Sequence, residues 1–236
     1  MYNKNYSYFC RKLNINYMYA TISADVVSST TLSEIETIEL KQYIEEQLNE
    51  LEKLYPGFWG RLIKGDYIEC LIPNVSDAFR IALILKNSIK SFAVNKSIEN
   101  RLFCTYGARI AIGIGEMRIV DREYGIMDGE AIYLSGRSLT KSGALNKGTL
   151  IIETSNAELS RCLRVIALLA DAILNEATPK QSLVIYYKLL GYKESEIADK
   201  MKIYQSTVNS HSSSAKWYCI EEALKYFEQI KFEDYE

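Results

Sequence analysis

The first regular pattern in the chain is an alternation of apolar and polar residues over 17–27. Alternation with a period of two places every second side chain on the same face, so it predicts a strand. A different spacing follows, because apolar residues recur every three or four positions from Ser33 to about residue 54. That spacing predicts a helix. Ser33 and Glu36 have the separation of a capping box, which predicts where the helix begins.

Two short apolar runs, 58–64 and 67–72, flank a Gly-Asp pair at 65–66. Because Gly-Asp tolerates the positive φ of a tight turn, these runs predict a β-hairpin. A second helix over about 77–94 and a strand over 102–113 follow. The resulting order, β-α-β-β-α-β, predicts an α+β domain of the ferredoxin-like kind, an antiparallel sheet with helices on one face.

The remaining pattern predicts further elements and a domain boundary. In chain order they are a loop, a helix, a strand and a long helix, at about 118–128, 129–142, 149–153 and 157–174. A turn at 146–148 leads into the strand, because Gly148 supplies a permissive backbone. Residues 175–179 break the pattern and include Pro179, which predicts a boundary between two domains, 1–177 and 178–236.

Composition and charge narrow the class of protein. The chain has 236 residues and a net charge of −2, so any basic surface must be local. Its five cysteines are odd in number and widely spaced, and it has one histidine, which argues against a structural zinc site. Residues 1–15 lack the apolar core of a targeting peptide. No apolar run reaches the ~20 residues of a membrane span, so we expect a soluble, cytoplasmic protein.

The pattern after Pro179 predicts three short helices. Pro179 suits the first turn of one helix, and Gly191 ends it. A second helix covers 193–200, an apolar turn covers 201–203, and a third helix begins at residue 204 or 205. Two helices that cross over a short turn are typical of a helix-turn-helix, whose second helix enters the major groove of DNA.

The third of these helices is rich in small polar side chains and has no acidic residue. Hydroxyl and amide groups contact both phosphates and base edges, so we expect them to face DNA. The expected contact positions are Gln205, Ser206, Thr207, Asn209, Ser210, His211, Ser213, Ser214 and Lys216. The alternative is a helical hairpin that mediates oligomerisation, although small polar residues are poor anchors for protein-protein binding.

This C-terminal segment resembles the promoter-reading region of sigma factors and the LuxR-type modules. The resemblance covers about forty residues and depends on the motif G-Y-x-x-x-E-I-A followed by S-T-V. The matching residues are Gly191, Tyr192, Glu196, Ile197, Ala198, Ser206, Thr207 and Val208. It implies double-stranded DNA as the partner.

Two acidic residues stand out in the N-terminal part. Asp25 ends the first predicted strand, and Asp66 lies in the predicted hairpin turn. In a β-α-β-β-α-β sheet these places can be adjacent, and paired carboxylates could hold Mg²⁺. The alternative is that each acid only serves its own turn. Gly113 and Gly115 lack the third glycine of a phosphate loop and predict close backbone approach or a strand bulge.

Residues 23–30, 64–66 and 109–115 resemble the corresponding stretches of class III nucleotidyl cyclases. The resemblance implies metal-holding aspartates at Asp25 and Asp66 and a transition-state arginine at Arg137. From its place on a helix, Arg137 could bind an anion or pair with a surface acid. Three family positions differ, because the base-selecting Lys, its acidic partner and the catalytic Asn align with Leu62, Ile126 and Tyr133. These departures remove purine recognition and part of the charge stabilisation.

A resemblance over nearly the whole chain is to the SatD-like family of bacterial proteins. It depends on Asp-Val-Val-x-Ser at 25–29, Gly-Asp-Tyr at 65–67, Gly-Ile-Gly-Glu at 113–116 and Asp-Gly-x-Ala-x-Tyr at 128–133. Members of this family often carry a C-terminal helix-turn-helix.

Together these observations predict a DNA-binding transcriptional regulator whose cyclase-like domain is catalytically degenerate and serves as a sensor or dimerisation unit. The alternative is a metal-dependent nucleotidyl cyclase or transferase with an appended helical domain. A third possibility is a scaffold whose helical tail mediates assembly. The missing cyclase residues favour the regulator over the enzyme. Its expected partners are DNA and a second copy of the chain in a homodimer. A nucleotide is a candidate ligand, and Mg²⁺ is a candidate cofactor if Asp25 and Asp66 do more than serve their own turns.

Overall fold

A computed structural model describes residues 18–63, 65–96, 98–141 and 148–235. The N-terminal segment 1–15 and the start of the predicted turn at 146–148 lie outside the described residues. The structure combines an antiparallel sheet with many helices, which agrees with the predicted α+β class. No helix among the described residues is long and apolar enough to cross a membrane.

The sheet is built around strand β1. Its strands are β1 (Met18–Val26), β2 (Trp59–Ile63), β3 (Tyr67–Ile72), β4 (Ala108–Asp121), β5 (Ile126–Gly129) and β6 (Leu150–Thr154). Their order is β2-β3-β1-β4-β5, and each neighbouring pair is antiparallel. Strand β6 pairs with β4 in parallel. The first strand, the hairpin and the fourth strand therefore form one continuous sheet.

The helices cover the sheet and extend beyond it. They are α1 (Glu34–Leu54), α2 (Ala78–Lys96), α3 (Arg101–Tyr106), α4 (Glu130–Lys141), α5 (Ala157–Glu176), α6 (Pro179–Leu189), α7 (Glu194–Met201), α8 (Gln205–Ser214) and α9 (Trp217–Glu228).

Local capping fixes two of the helix starts. Ser33 accepts a hydrogen bond from the Glu36 backbone N–H, and the Glu36 side chain accepts one from Ser33, so the predicted capping box is present. Pro179 occupies the first turn of α6, as predicted, behind a capping box of Thr178 and Gln181. Each box satisfies backbone donors that a helix start leaves without partners.

Two predictions between α2 and α4 are wrong. Residues 102–106 are helical, because the Asn100 side chain accepts a hydrogen bond from the Phe103 backbone N–H at 2.9 Å and so caps α3. Gly107, with φ of 63°, ends this helix and lets β4 begin at Ala108. The predicted loop at 118–128 is largely a hairpin, since β4 continues to Asp121 and pairs with β5.

Helices cover both faces of the sheet, which corrects the expectation of one covered face. Ala20, Ile22 and Ala24 of β1 belong to the main core. The alternate residues Thr21 and Ser23 point to α4, where their hydroxyls lie 2.9 and 3.0 Å from Ser135 Oγ. Buried hydroxyls of this kind satisfy one another and fix the position of the helix.

Gly113 is the reason α4 can lie so close to the sheet. It pairs with Thr21 across β1 and β4, on the face that α4 covers. A Cβ at this position would lie 2.5 Å from the Ser135 backbone nitrogen, and closer still to the Ala131 carbonyl oxygen. The close backbone approach that the sequence predicts at Gly113 is therefore present.

The main hydrophobic core crosses the predicted domain boundary. Helix α6 packs along α2 and contributes Ile185 and Leu189 to the main core. Phe227 of α9 packs on Phe79 of α2, with ring centroids 5.4 Å apart. A second, smaller cluster lies among α6, α7 and α8. Its buried members are Val184, Ile197, Ala198 and Val208. The two-domain division stays a prediction, and the two parts share one core.

Two buried lysines of α2 join distant parts of the chain. Lys86 Nζ lies 3.3 Å from Asp171 Oδ1 of α5 and donates to Thr149 Oγ1 at 2.7 Å. Lys90 Nζ donates to the Leu174 carbonyl oxygen at 2.7 Å, at the end of α5. Burial lowers the pKa of Lys86, although Asp171 opposes this change. Burial and the charge of Lys86 lower the pKa of Lys90 to about 7.

Candidate functional site

The sheet brings Asp25 and Asp66 together at one edge. Asp25 is near the end of β1 and pairs with Tyr67, the residue after Asp66. The Asp66 carbonyl oxygen accepts a hydrogen bond from the Val26 backbone N–H at 3.3 Å. The Asp66 carboxylate accepts one from Ser29 Oγ at 2.6 Å. The two predicted acids are therefore neighbours at this edge of the sheet.

A guanidinium group already binds the Asp25 carboxylate. Asp25 and Arg109 are paired across β1 and β4, and Arg109 Nε donates to Asp25 Oδ1 at 2.8 Å while its Nη2 donates to Oδ2. The hydrogen bond to Asp25 raises the pKa of Arg109, and the charge of Asp66 contributes to the same change. A bidentate pair of this kind matches the planar fork of arginine to a carboxylate.

This donor set is a poor match to Mg²⁺. Both oxygens of Asp25 accept from Arg109, and one oxygen of Asp66 accepts from Ser29. Over the described parts of the chain, no group of three or more His, Cys, Asp or Glu residues could hold a metal ion. Mg²⁺ needs several oxygen ligands in an octahedron. Magnesium binding at Asp25 and Asp66 therefore stays a prediction.

Arg137 lies on the exposed surface of α4. Its guanidinium lies over the ring of Tyr133, 5.5 Å from the centroid. Tyr133 Oη donates to Asp128 Oδ1 at 2.5 Å, and Arg118 also pairs with Asp128. The hydrogen bond to Asp128 raises the pKa of Tyr133. No contact joins Arg137 to Asp25 or Asp66 within the described residues, and its role in anion binding stays a prediction.

The exposed face of α8 is uniformly polar. Val208 and Ser212 are buried, and Thr207 and His211 are half-buried. The exposed residues of the helix are Gln205, Ser206, Asn209, Ser210, Ser213 and Ser214. Of the predicted contact positions on α8, six are therefore exposed, and Thr207 and His211 are half-buried.

Both ends of α8 are also exposed and carry lysines. Tyr204, which precedes the helix, is 83% exposed and gives no side-chain hydrogen bond to it. The first backbone N–H groups therefore have no side-chain cap, and such groups can bind phosphate oxygens. Lys202 and Lys216 flank the helix in left-handed conformations, and both side chains are exposed. Lys216 lies two residues after the end of α8, and its contact with DNA stays a prediction.

Sequence reasoning missed the role of Arg109. It lies in the 109–115 motif, but the motif alone does not reveal its partner. The available signal was strand register, because an antiparallel β1 and β4 that bury Ile22 and Ile112 as neighbours also set Asp25 opposite Arg109.

The sequence also gave no sign of a cleft of about 240 Å³ between α1, α2, α6 and α7. Tyr186, Tyr187 and Tyr192 contribute to its wall. Lys200 lies above the Tyr192 ring, 4.5 Å from its centroid. Tyr186 Oη donates to Gln47 Oε1 at 2.7 Å and links α6 to α1. These tyrosines come from the segment that was predicted to bind DNA, and they connect it to the sheet-covering helices.

No known family model matches the chain, and no curated protein matches it either. Among solved structures, it is similar to a bacterial light-regulated adenylyl cyclase, with 15% identity and a TM-score of 0.43 over 62% of this chain and 79% of that one. It is also similar to the guanylyl cyclase Cya2, with 15% identity and a TM-score of 0.35 over 51% of this chain and 68% of that one. Similarities this low do not carry an activity over to this chain.

Proposed function

We propose that this protein is a DNA-binding regulator in which α7 and α8 form a helix-turn-helix and α8 is the recognition helix. The observation that carries the proposal is the polar face of α8. Its exposed side chains are amides and hydroxyls without an acid among them, while its apolar side is buried on α6 and α7. Such a face suits DNA, because amides and hydroxyls can both donate to and accept from base edges, and the absence of acids avoids repulsion by the phosphates.

Charge supports the same surface. Between Pro179 and Trp217 the sequence has six lysines and three acids, 6 − 3 = +3, in a chain whose net charge is −2. Lys202 and Lys216 stand at the two ends of α8, where they would contact the DNA backbone. Phosphate contacts of this kind fix position and give a salt-dependent affinity.

The N-terminal part serves, in this proposal, as a ferredoxin-like, cyclase-like domain of the SatD-like kind that has lost catalysis. Arg109 binds the carboxylate that would hold a metal. The positions of the missing cyclase residues hold Leu62, which packs against the core, and Ile126, which is exposed. Neither side chain can select a purine by hydrogen bonding. The domain then acts as a sensor or a dimerisation unit.

The proposal is tested by selection of bound duplexes from a random pool, followed by binding measurements at matched salt. Replacing Thr207, Asn209 and Ser210 together by Ala should weaken binding to the selected duplex by at least tenfold, because each base contact contributes about 1–3 kcal/mol. The matched control is Gln42→Ala with Asn49→Ala, two exposed polar residues of α1. Binding that the triple variant leaves unchanged would refute α8 as the recognition helix.

The enzyme alternative has its own test. Purified protein with Mg²⁺ or Mn²⁺ and ATP or GTP should form no cyclic nucleotide above background. Turnover that disappears in Asp66→Ala would favour the cyclase over the regulator.

A further inference from the structure

Helix α5 has an apolar stripe that no described part of the chain covers. Val165, Leu168 and Leu169 are 56%, 53% and 62% exposed. Ala172, one turn further on, is also exposed. On a helix with 100° per residue these four side chains fall on one face. The opposite face of α5 is buried in the main core. The helix is therefore apolar on both sides, which is typical of a buried helix rather than a surface one.

Charged residues close both ends of the stripe. Glu158 and Arg161 precede it on the same face, and Glu176 follows it. Among the described residues, neither Arg161 nor Glu176 has an ion-pair partner, although the charge of Glu176 reaches Lys90. Glu176 is the last residue of α5, where the helix dipole disfavours an acid. Glu176 therefore does not stabilise α5 through the helix dipole. Within the described residues, neither Arg161 nor Glu176 stabilises the helix through an ion pair.

The stripe is self-complementary when it is reversed. Arg161 and Glu176 lie equally far from the midpoint between Leu168 and Leu169, about 11 Å along the helix axis. Val165 and Ala172 are also equidistant from that midpoint. An antiparallel pair of α5 helices would thus set Val165 against Ala172, a large side chain against a small one. The same pairing would set Arg161 between Glu158 of its own helix and Glu176 of the second copy.

From this pattern we infer that α5 is the interface of a symmetric dimer, in which the stripe of one copy packs antiparallel on the stripe of another. A twofold axis passes between Leu168 and Leu169 and makes the contact isologous. The surface of a single helix face is smaller than the ~800 Å² per partner of a standard interface, so the dissociation constant should be micromolar. The inference is independent of DNA binding, because its measurement is the oligomeric state in the absence of DNA.

The experiment is sedimentation velocity of the full chain over about 1–100 µM, a range that brackets a micromolar dissociation constant. The natural chain should shift from monomer to dimer. Val165→Asp with Leu169→Asp should stay monomeric with an unchanged melting temperature, because both residues are exposed. The matched control, Ile35→Asp with Ile38→Asp, changes two exposed apolar residues of α1 and should dimerise like the natural chain.

Charge reversal tests the antiparallel register. Arg161→Glu places three acids together at each end and should raise the dissociation constant at least tenfold. Adding Glu176→Arg to this variant should restore dimerisation, since each end again has opposite charges. In a parallel pair Arg161 would face Arg161, and the double reversal would restore nothing. A chain that is monomeric at every concentration, or an Arg161→Glu dimer as strong as the natural one, overturns the inference.

Discussion

Two buried lysines, Lys86 and Lys90, connect helix α2 to helix α5 through their ammonium groups. Lys86 is 1% exposed, and its ammonium group has Asp171, Thr149 and two backbone carbonyls as partners. Lys90, also 1% exposed, caps the last carbonyls of α5 and has no carboxylate within ion-pair distance among the described residues. A buried ammonium without a matching carboxylate loses hydration that hydrogen bonds only partly replace. Lys90 is therefore the more sensitive of the two to pH.

Stability should increase with pH through Lys90. Its pKa falls from the usual 10.5 to about 7 in the native state, so between these values the unfolded chain binds one proton more. The free energy of unfolding then rises with pH. The natural chain should gain about 1–2 kcal/mol relative to Lys90→Met between about pH 6.5 and pH 8.5 in urea titrations. Below about pH 7 this contribution is flat.

Lys86, Asp171, Cys104 and Glu176 also act on Lys90, and all of them remain in the variant, so the difference between the two proteins isolates Lys90. A constant difference over this pH range would mean that Lys90 stays protonated in the native state.

Arg109 should control whether the acidic edge responds to metal. Arg109→Met leaves the partly buried Asp25 without its partner and should cost about 1–3 kcal/mol of stability. Millimolar Mg²⁺ should then raise the melting temperature of this variant and leave that of the natural chain unchanged, because only the variant releases both oxygens of Asp25 from Arg109. Melting curves of the natural chain and of Arg109→Met, with and without Mg²⁺, test this expectation. A rise in the natural chain that vanishes in Asp25→Asn with Asp66→Asn would instead support the predicted metal site.

At the scale of elements, α4 lies in close backbone contact with β4 at Gly113. Gly113→Ala should destabilise the protein by more than about 3 kcal/mol, because the added methyl meets backbone atoms of α4 that cannot rotate away. Gly136 supplies the control. It lies within α4, and a Cβ there would have no atom within 4 Å. Gly136→Ala should therefore be neutral or stabilise by up to about 1 kcal/mol, as expected for a helix interior. Thermal unfolding of both variants measures the contrast.

The helices and strands that could be predicted were those with clear hydrophobic periodicity or capping residues. Periodicity and capping residues gave α1, β1 and the β2–β3 hairpin to within a residue or two. Helix α3 was missed because its apolar residues continue without a break into β4, and only Asn100 and Gly107 mark its ends. The β4–β5 hairpin differs from the predicted loop because its charged and apolar residues are mixed without a clear alternation, and most of them are exposed or half-buried. Its pairing depends on backbone hydrogen bonds rather than on an apolar face.

Sites were less predictable than elements. The sequence placed Asp25 and Asp66 side by side, since both follow from the strand order. It gave no sign that Arg109 binds Asp25, which depends on register. The exposed face of α8 could be predicted because a helix period fixes which residues turn away from Val208. The cleft beside Tyr192 could not, because it depends on how four helices, α1, α2, α6 and α7, meet.

For the molecule as a whole, the shared core predicts one unfolding transition. The chain has two tryptophans, Trp59 in β2 and Trp217 at the start of α9, one on each side of the predicted boundary. The Trp59→Phe variant keeps only Trp217 as a fluorescence reporter, and the Trp217→Phe variant keeps only Trp59. Denaturant titrations followed by fluorescence should give the same midpoint for both reporters, as a two-state transition requires.

Phe227→Ala, added to either single-tryptophan protein, removes a buried ring that packs on Phe79 and should cost about 3–5 kcal/mol. It should lower both midpoints equally. Separate midpoints, with only the Trp217 signal responding to Phe227→Ala, would show two independent domains.

The buried lysines of α2 also set an order in which the chain can fold during synthesis. Lys86 needs Thr149, which is 63 residues further along, and Lys90 needs Leu174, which is 84 residues further along. Until those residues leave the ribosome, Lys90 lacks the Leu174 and Asn175 carbonyls and Lys86 has only the Tyr106 and Ala108 carbonyls as partners, so burial of both ammonium groups is too costly. The sheet and α1 can form early, but α2 can dock fully only after α5 has been made. A ribosome that pauses before residue 171 would therefore hold a nascent chain whose core is still open.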